Sequence, residues 1–284
     1  MKIALFNQSK LGLVLEEVVY DISTLTGWDD QNPQESLKML MENFGDLRAK
    51  IEECQAHCDA YPLSEINLEA PVPNPSKIVA APVNYYLHQD EMNEQFSNAE
   101  YTIEKLGFFL KAPSSIIGPN DTVKLPFKDR RTDHEAELAF VVGKRAKNVP
   151  ASEAHHYIFG YFALMDITVR GKEDRPWRKS FDTFTPIGPW IVTADEIENP
   201  NELGFKLWVN EELRQSANTK DLIYDCYKFF EVASAAMTLE PGDILTTGTP
   251  EGVGEINKGD TVTIRIDRIG EFSVNVEFKE ECLI

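Results

Sequence analysis

Two glutamates separated by one residue, Glu135 and Glu137, stand at the head of the run Ala136-Glu137-Leu138-Ala139-Phe140-Val141-Val142. The β-branched and aromatic content predicts a strand, in which residues i and i+2 point to one face. Ala139 and Val141 continue that parity as apolar residues, so the two carboxylates are aimed at the interior. Like charges there repel each other and are costly to desolvate. They require a proton, a cationic partner or a metal ion. A third acid, Asp166, stands in a second apolar run, Phe162-Ala163-Leu164-Met165-Asp166-Ile167. Three carboxylates from two strands, with no cysteine or histidine at ligand spacing, suit a hard divalent cation: Mg²⁺, Mn²⁺ or Ca²⁺. His134 has the opposite strand parity to Glu135 and is not expected to be a ligand.

His88 and Glu91 are three residues apart in the polar, aromatic segment 84–96, which reads as a helix. On a helix they face each other. A carboxylate beside a histidine fixes its tautomer and raises its basicity, as a general base for water requires. The same spacing also occurs on solvated helix surfaces. Arg170 and Lys179 lie close in sequence to Asp166. Either could bind a substrate carboxylate or stabilise an enolate, or be a surface cation. The run Thr246-Thr247-Gly248-Thr249-Pro250-Glu251-Gly252-Val253-Gly254 lacks the Gly-Lys-Ser/Thr ending of a Walker loop, but its N–H groups and hydroxyls can hold an anion. Cys54, His57 and Cys58 could begin a zinc site, but two further ligands are not evident, and they read as ordinary helix residues.

Several elements must position these groups. Residues 2–6, 12–15 and 17–21 read as short strands. Leu37, Leu40, Met41, Phe44, Leu47 and Ile51 form one apolar stripe of a helix over 35–57. Pro71, Pro73 and Pro75 can continue neither a helix nor a central strand, and they mark a boundary. Residues 1–70 are thus a small N-terminal α/β module, and 71–284 the main domain. The main domain is strand-rich, with strands expected at 77–81, 108–111, 135–142, 160–168, 206–209, 244–247, 261–266 and 272–278. An amphipathic helix is expected at 221–239. The fold class is α+β, mainly β with some α.

The net charge of −19 over 284 residues argues against nucleic acid or an anionic membrane as partner. It also means that a small anionic substrate needs a local cation. No segment approaches the ~20 apolar residues of a membrane span. The N-terminal run is too short for a signal peptide, and four cysteines are too few for a disulfide scaffold at this length. A cytoplasmic protein is expected.

Taken together and in order, six stretches resemble the fumarylacetoacetate hydrolase family over residues 75–280. They are Asn84-Tyr85 with His88 and Glu91; Phe109-Leu110-Lys111-Ala112-Pro113-Ser114-Ser115; His134-Glu135-Ala136-Glu137-Leu138; Met165-Asp166 with Arg170; Lys179-Ser180-Phe181-Asp182; and Thr247-Gly248-Thr249-Pro250 with Gly252 and Gly254. The resemblance implies a mixed β-sandwich or roll around a metal, usually as a homodimer. It implies Glu135, Glu137 and Asp166 as Mg²⁺ or Mn²⁺ ligands, and His88 with Glu91 as a water-activating dyad on a closing segment. Lys179 would be the lysine beside the metal, and Arg170, Thr249 and Tyr85 substrate contacts. The implied reaction is hydrolysis of a C–C bond in an acylpyruvate or related β-diketo acid, releasing a pyruvate enolate stabilised by the metal and Lys179. Alternatives are an oxaloacetate decarboxylase, a 2-oxo-dienoate isomerase or hydratase, many of which lack the dyad, and a non-catalytic metal- or ligand-binding protein. The sequence departs from the family pattern at Pro82, where a glycine is frequent, and at Gly171-Lys172-Glu173, where Asp-hydrophobic-Gln is frequent.

Overall fold

The computed structural model describes residues 1–95 and 101–281. Cys282 and residue 96, the end of the segment expected to be helical, lie outside them. The frame is a wide mixed sheet. From one edge its strands run Ala60–Pro62, Val18–Asp21, Lys10–Leu15, Lys2–Phe6, Thr185–Thr193, Ile158–Met165, Ala136–Val142, Ile244–Thr246, Ile78–Ala80 and Phe109–Lys111. Along this path only Ile244–Thr246 and Ile78–Ala80 are parallel neighbours. The sheet crosses the proline-rich boundary, since Lys2 pairs with Val192 and Ile3 with Ile191. Residues 1–70 therefore share one hydrogen-bonded layer with the rest.

Each face of this sheet is covered. On one face lies the helix Pro33–Glu52, which starts with proline at its first turn, where no N–H partner is lost. Its stripe of Leu37, Leu40, Met41 and Ile51 shares a core with Ala139, Val141, Phe162 and Ile244. Each such fully buried side chain contributes about 1.5–3 kcal/mol. The helix ends at Glu52 rather than 57, and a 3-10 turn, Cys54–Ala56, follows. His57 is exposed. Among the described residues neither it nor the cysteines belong to a metal-competent cluster.

On the other face a five-stranded sheet, Glu212–Asn218, Gly204–Val209, Thr261–Ile266, Gly270–Phe278 and Thr122–Leu125, packs through Leu207, Ile264 and Val274 against Leu138, Phe140 and Tyr161. The result is the α+β sandwich expected. The helix expected at 221–239 is shorter, Cys226–Ala236, because the Asp225 side chain accepts from the Lys228 N–H at 2.7 Å and caps it there.

A third, small sheet of Thr168–Val169, Thr132–His134 and Gly254–Glu255 sits at the head of the central strands. It changes the expected geometry. Asp133 pairs with Thr168 and Glu255, whereas Ala136 onward pairs with Ile158–Met165. Glu135 is the residue between, so the strand expected to run from 135 to 142 begins at Ala136. Asp166 falls in the matching break of the neighbouring chain, and its N–H donates to the Glu135 carbonyl at 2.8 Å. Both acids stand where two adjacent strands leave the large sheet together.

Candidate active site

The breaks bring the three acids into one cluster. One carboxylate oxygen from each of Glu135, Glu137 and Asp166 lies within 4.8 Å of the others, and all three residues are buried. Glu137 comes from the regular strand, opposite Leu164. Its Oε2 accepts from the Thr246 hydroxyl and, at 2.9 Å, from the Gly248 N–H. Gly248 has φ of 83°, and a Cβ there would come within 2.9 Å of the Ala81 carbonyl. Glycine is therefore what lets this N–H turn toward the acid.

Buried cations answer the acids. Lys179 Nζ donates to Glu135 Oε2 at 2.7 Å, Asp166 Oδ2 at 2.6 Å and the Thr168 hydroxyl at 2.7 Å. Lys111, which had no role in the sequence reading, is fully buried and donates to Asp166 Oδ1 and the Phe184 carbonyl. Arg170 spans Asp133 Oδ2 (2.5 Å) and Glu135 Oε1 (3.2 Å). The acids divide accordingly. Burial would raise the Glu135 carboxyl, but Lys179 and Arg170 hold it down at about 2. Burial, with Asp166 close by, pushes Glu137 up to about 8. Burial also lowers the Lys111 ammonium, while Asp166 and Glu135 keep Lys179 raised against the same effect.

The segment bearing the histidine is rooted in this cluster. Asn84 is fully buried; its amide donates to the Tyr224 and Thr247 carbonyls, both at 2.8 Å, and accepts from the Tyr224 N–H at 2.7 Å. Tyr85 is also buried, with its ring 6.1 Å from that of Phe205, and it is not among the residues lining the cavity. From this root the helix Tyr86–Gln95 brings His88 and Glu91 to the cavity that the acids also line. His88 Nδ1 lies 3.2 Å from Glu91 Oε2. That bond lowers the Glu91 carboxyl, and among the described residues His88 Nε2 has no hydrogen-bond partner.

Gln215 was not singled out in the sequence. It is fully buried; its carbonyl accepts from the Ala136 N–H at 2.9 Å, and its amide donates to the Thr249 hydroxyl at 2.8 Å and the Pro250 carbonyl at 3.1 Å. One side chain thus ties the carboxylate strand to the Thr249 loop. His134 Nδ1 lies 3.2 Å from Gln215 Oε1, and burial lowers the imidazole to about 4.

These groups line one cavity of about 790 Å³, within the usual size for a small-molecule site. Glu135, Glu137, Asp166 and Lys179 form its buried floor, His88 and Thr249 are buried beside them, and the half-buried Arg170 and exposed Glu91 also line it. The donor set fits a divalent cation. All three donors are hard oxygens, and among the described residues Glu137 Oε1 receives no hydrogen bond although the residue is buried against the cavity. A cation there would relieve the repulsion that raises Glu137.

Comparison with known proteins decides the family. The model of the fumarylacetoacetate (FAA) hydrolase C-terminal domain matches residues 77–277, a stretch that contains every group just described. The chain belongs to the fumarylacetoacetate hydrolase family. Within this family it is 43% identical to maleylpyruvate hydrolase of Aquipseudomonas alcaligenes, over 97% of this chain and 99% of that protein. It is 34% identical to the mitochondrial oxaloacetate tautomerase fahd2 of Xenopus laevis, over 93% and 85%. A crystal structure of maleylpyruvate hydrolase from Sphingobium sp. SYK-6 in complex with manganese(II) ion and pyruvate superposes with a TM-score of 0.89 at 43% identity, covering 99% of this chain and all of that one.

Proposed function

We propose that this chain is a Mg²⁺- or Mn²⁺-dependent hydrolase that cleaves the C–C bond of 3-acylpyruvates, giving pyruvate and a carboxylic acid. The observation that carries the reading is the His88–Glu91 pair set over a three-carboxylate floor. Glu135, Glu137 and Asp166 would hold the cation. The chemistry a bound Mg²⁺ or Mn²⁺ supplies is Lewis-acid neutralisation of the substrate's carboxylate and 2-oxo oxygens. Arg170 and Thr249 orient the substrate from the side of the cavity. Glu91 fixes the proton on His88 Nδ1, so that Nε2 takes a proton from water as the water oxygen bonds to the distal acyl carbon. The bond between that carbon and C3 breaks, its electron pair passes into the pyruvate enolate, and the positive charge of the Lys179 ammonium stabilises that enolate. A proton at C3 completes pyruvate.

The relatives support this reading, since two carry the name maleylpyruvate hydrolase and one of them binds manganese and pyruvate. In an assay of pyruvate release from acetylpyruvate, chelation lowers turnover by at least about 100-fold and Mn²⁺ restores it. Absence of pyruvate across a panel of acylpyruvates would sink the reading.

The same proposal includes a homodimer in the cytoplasm. Cys54, Cys58 and Cys226 are free thiols, as a reducing compartment requires. Tyr86, Leu87, Leu110 and Trp177 expose apolar surface that a second copy could cover. Sedimentation should give twice the 32.2 kDa chain mass; a monomer at micromolar concentration would remove the dimer. Among the described residues no helix is long and apolar enough to cross a membrane.

A further inference from the structure

We propose that Arg175 selects acylpyruvates whose acyl arm ends in a second carboxylate, by holding that carboxylate at the outer part of the cavity. The inference rests on the acylpyruvate reading and names the kind of acyl group that reading leaves open.

The cavity is lined by several cations, in a protein of net charge −19. Most are already engaged by the protein. Arg131 pairs with Asp133, Arg170 with Asp133 and Glu135, and Lys179 with Glu135 and Asp166. Arg178 donates its Nε to the Glu173 carbonyl at 2.7 Å. Arg175 differs. It is half-buried and lines the cavity, yet among the described residues it forms no hydrogen bond and no ion pair, its sequence neighbour Asp174 included. Burial lowers its pKa, outweighing the attraction of Glu135, Asp166 and Asp174, none of which it pairs with. A guanidinium in that setting is a ready partner for a planar carboxylate.

Position supplies the second argument. Arg175 and Lys179 are the ends of one short helix, Arg175–Lys179, and residues four apart on a helix lie on the same face. Lys179 reaches the floor and is buried; Arg175 stands one turn out and is half-exposed. A substrate with its pyruvoyl end at the floor therefore passes its acyl arm toward Arg175. The helix is also braced. Arg130 donates to Glu173 Oε2 at 2.8 Å and to the Arg170 carbonyl at 3.0 Å, and its guanidinium lies 4.7 Å from the Phe127 ring centre and 5.3 Å from that of Trp177. The backbone carrying Arg175 is thus fixed before any ligand arrives.

The test compares the Mn²⁺-loaded wild type, Arg175→Met, which keeps the aliphatic stem, and Arg175→Lys. Substrates are acetylpyruvate, with one carboxylate, and maleylpyruvate, with two; maleate, the diacid product, and crotonate, a monoacid of the same carbon number, are titrated calorimetrically. Arg175→Met should lower kcat/KM for maleylpyruvate about 100-fold, mainly through KM, and weaken maleate binding in parallel. Acetylpyruvate turnover should stay within about threefold, and Arg175→Lys should fall between. Equal losses on the two substrates, or undiminished maleylpyruvate turnover in Arg175→Met, overturn the assignment. If the wild type hydrolyses neither substrate, the acylpyruvate reading fails on its own. Maleate binding then decides for Arg175, upholding it if the Met variant loses maleate but not crotonate, and overturning it if maleate binding is unchanged.

Discussion

Glu137→Gln should lower acylpyruvate turnover by about 10³-fold while leaving the fold intact, because it removes one oxygen donor and one charge from the cation site. The local bonding explains why folding survives. Glu137 Oε2 accepts from the Thr246 hydroxyl and the Gly248 N–H, and a glutamine carbonyl oxygen can accept both. The amide also resembles the protonated acid that burial already favours here. Without metal, the variant's melting temperature should therefore match or exceed that of the wild type, while Mn²⁺ affinity measured by calorimetry drops. Unchanged Mn²⁺ affinity would show that Glu137 is not a ligand. Asp166→Asn should behave differently, because it strips the carboxylate charge from Lys111 and Lys179, both buried. Breaking a buried pair in this way costs about 3–5 kcal/mol, so loss of activity should come with loss of stability.

His88→Ala should lower hydrolysis about 10²- to 10⁴-fold, the range for removing a positioned general base. Its effect should be confined to the step that needs activated water. Mn²⁺ affinity should not change, and exchange of the C3 protons of bound pyruvate with solvent, followed by NMR, should persist. Glu91→Gln should follow in the same direction with a smaller loss, since it leaves the imidazole and removes only the partner of Nδ1. Wild-type hydrolysis by His88→Ala would assign the dyad no part in water activation.

The cluster of acids was legible because strand parity and burial are local properties. Glu137, Ala139 and Val141 share a face, as their alternation requires. The break at Glu135 was not legible, because it depends on Asp133 pairing with Thr168 and Glu255, far along the chain. Lys111 left a trace in the sequence. It shares strand parity with Phe109, whose side chain is buried, whereas Leu110 between them points outward. A lysine on an inward face needs a buried acid, but nothing nearby says that the acid is Asp166. Gln215 left none, since its partners are Ala136 and Thr249. Tyr85 shows the reverse limit. It sits with Asn84 in the family-like stretch, yet its ring turns into the core against Phe205. The proline-rich stretch near residue 70 is a change in composition that the sheet does not respect, because pairing of Lys2–Phe6 with Thr185–Thr193 is long-range. Helix ends, at Glu52 and Asp225, were set by caps and turns rather than by the apolar stripe.

The loop Thr246-Thr247-Gly248 serves two masters: through Thr246 and Gly248 it holds Glu137, and through the Thr247 carbonyl it holds Asn84 at the root of the His88 helix. Any redesign of that loop would disturb the cation floor and the water-activating base at once. The stretch before Lys179 has no such double duty, and Arg175 in particular bonds to neither. The fold thereby separates a part that must stay constant for the bond to be broken from a part that is free to change. An engineer seeking a new acyl group would vary residues 171–178 and leave the loop alone.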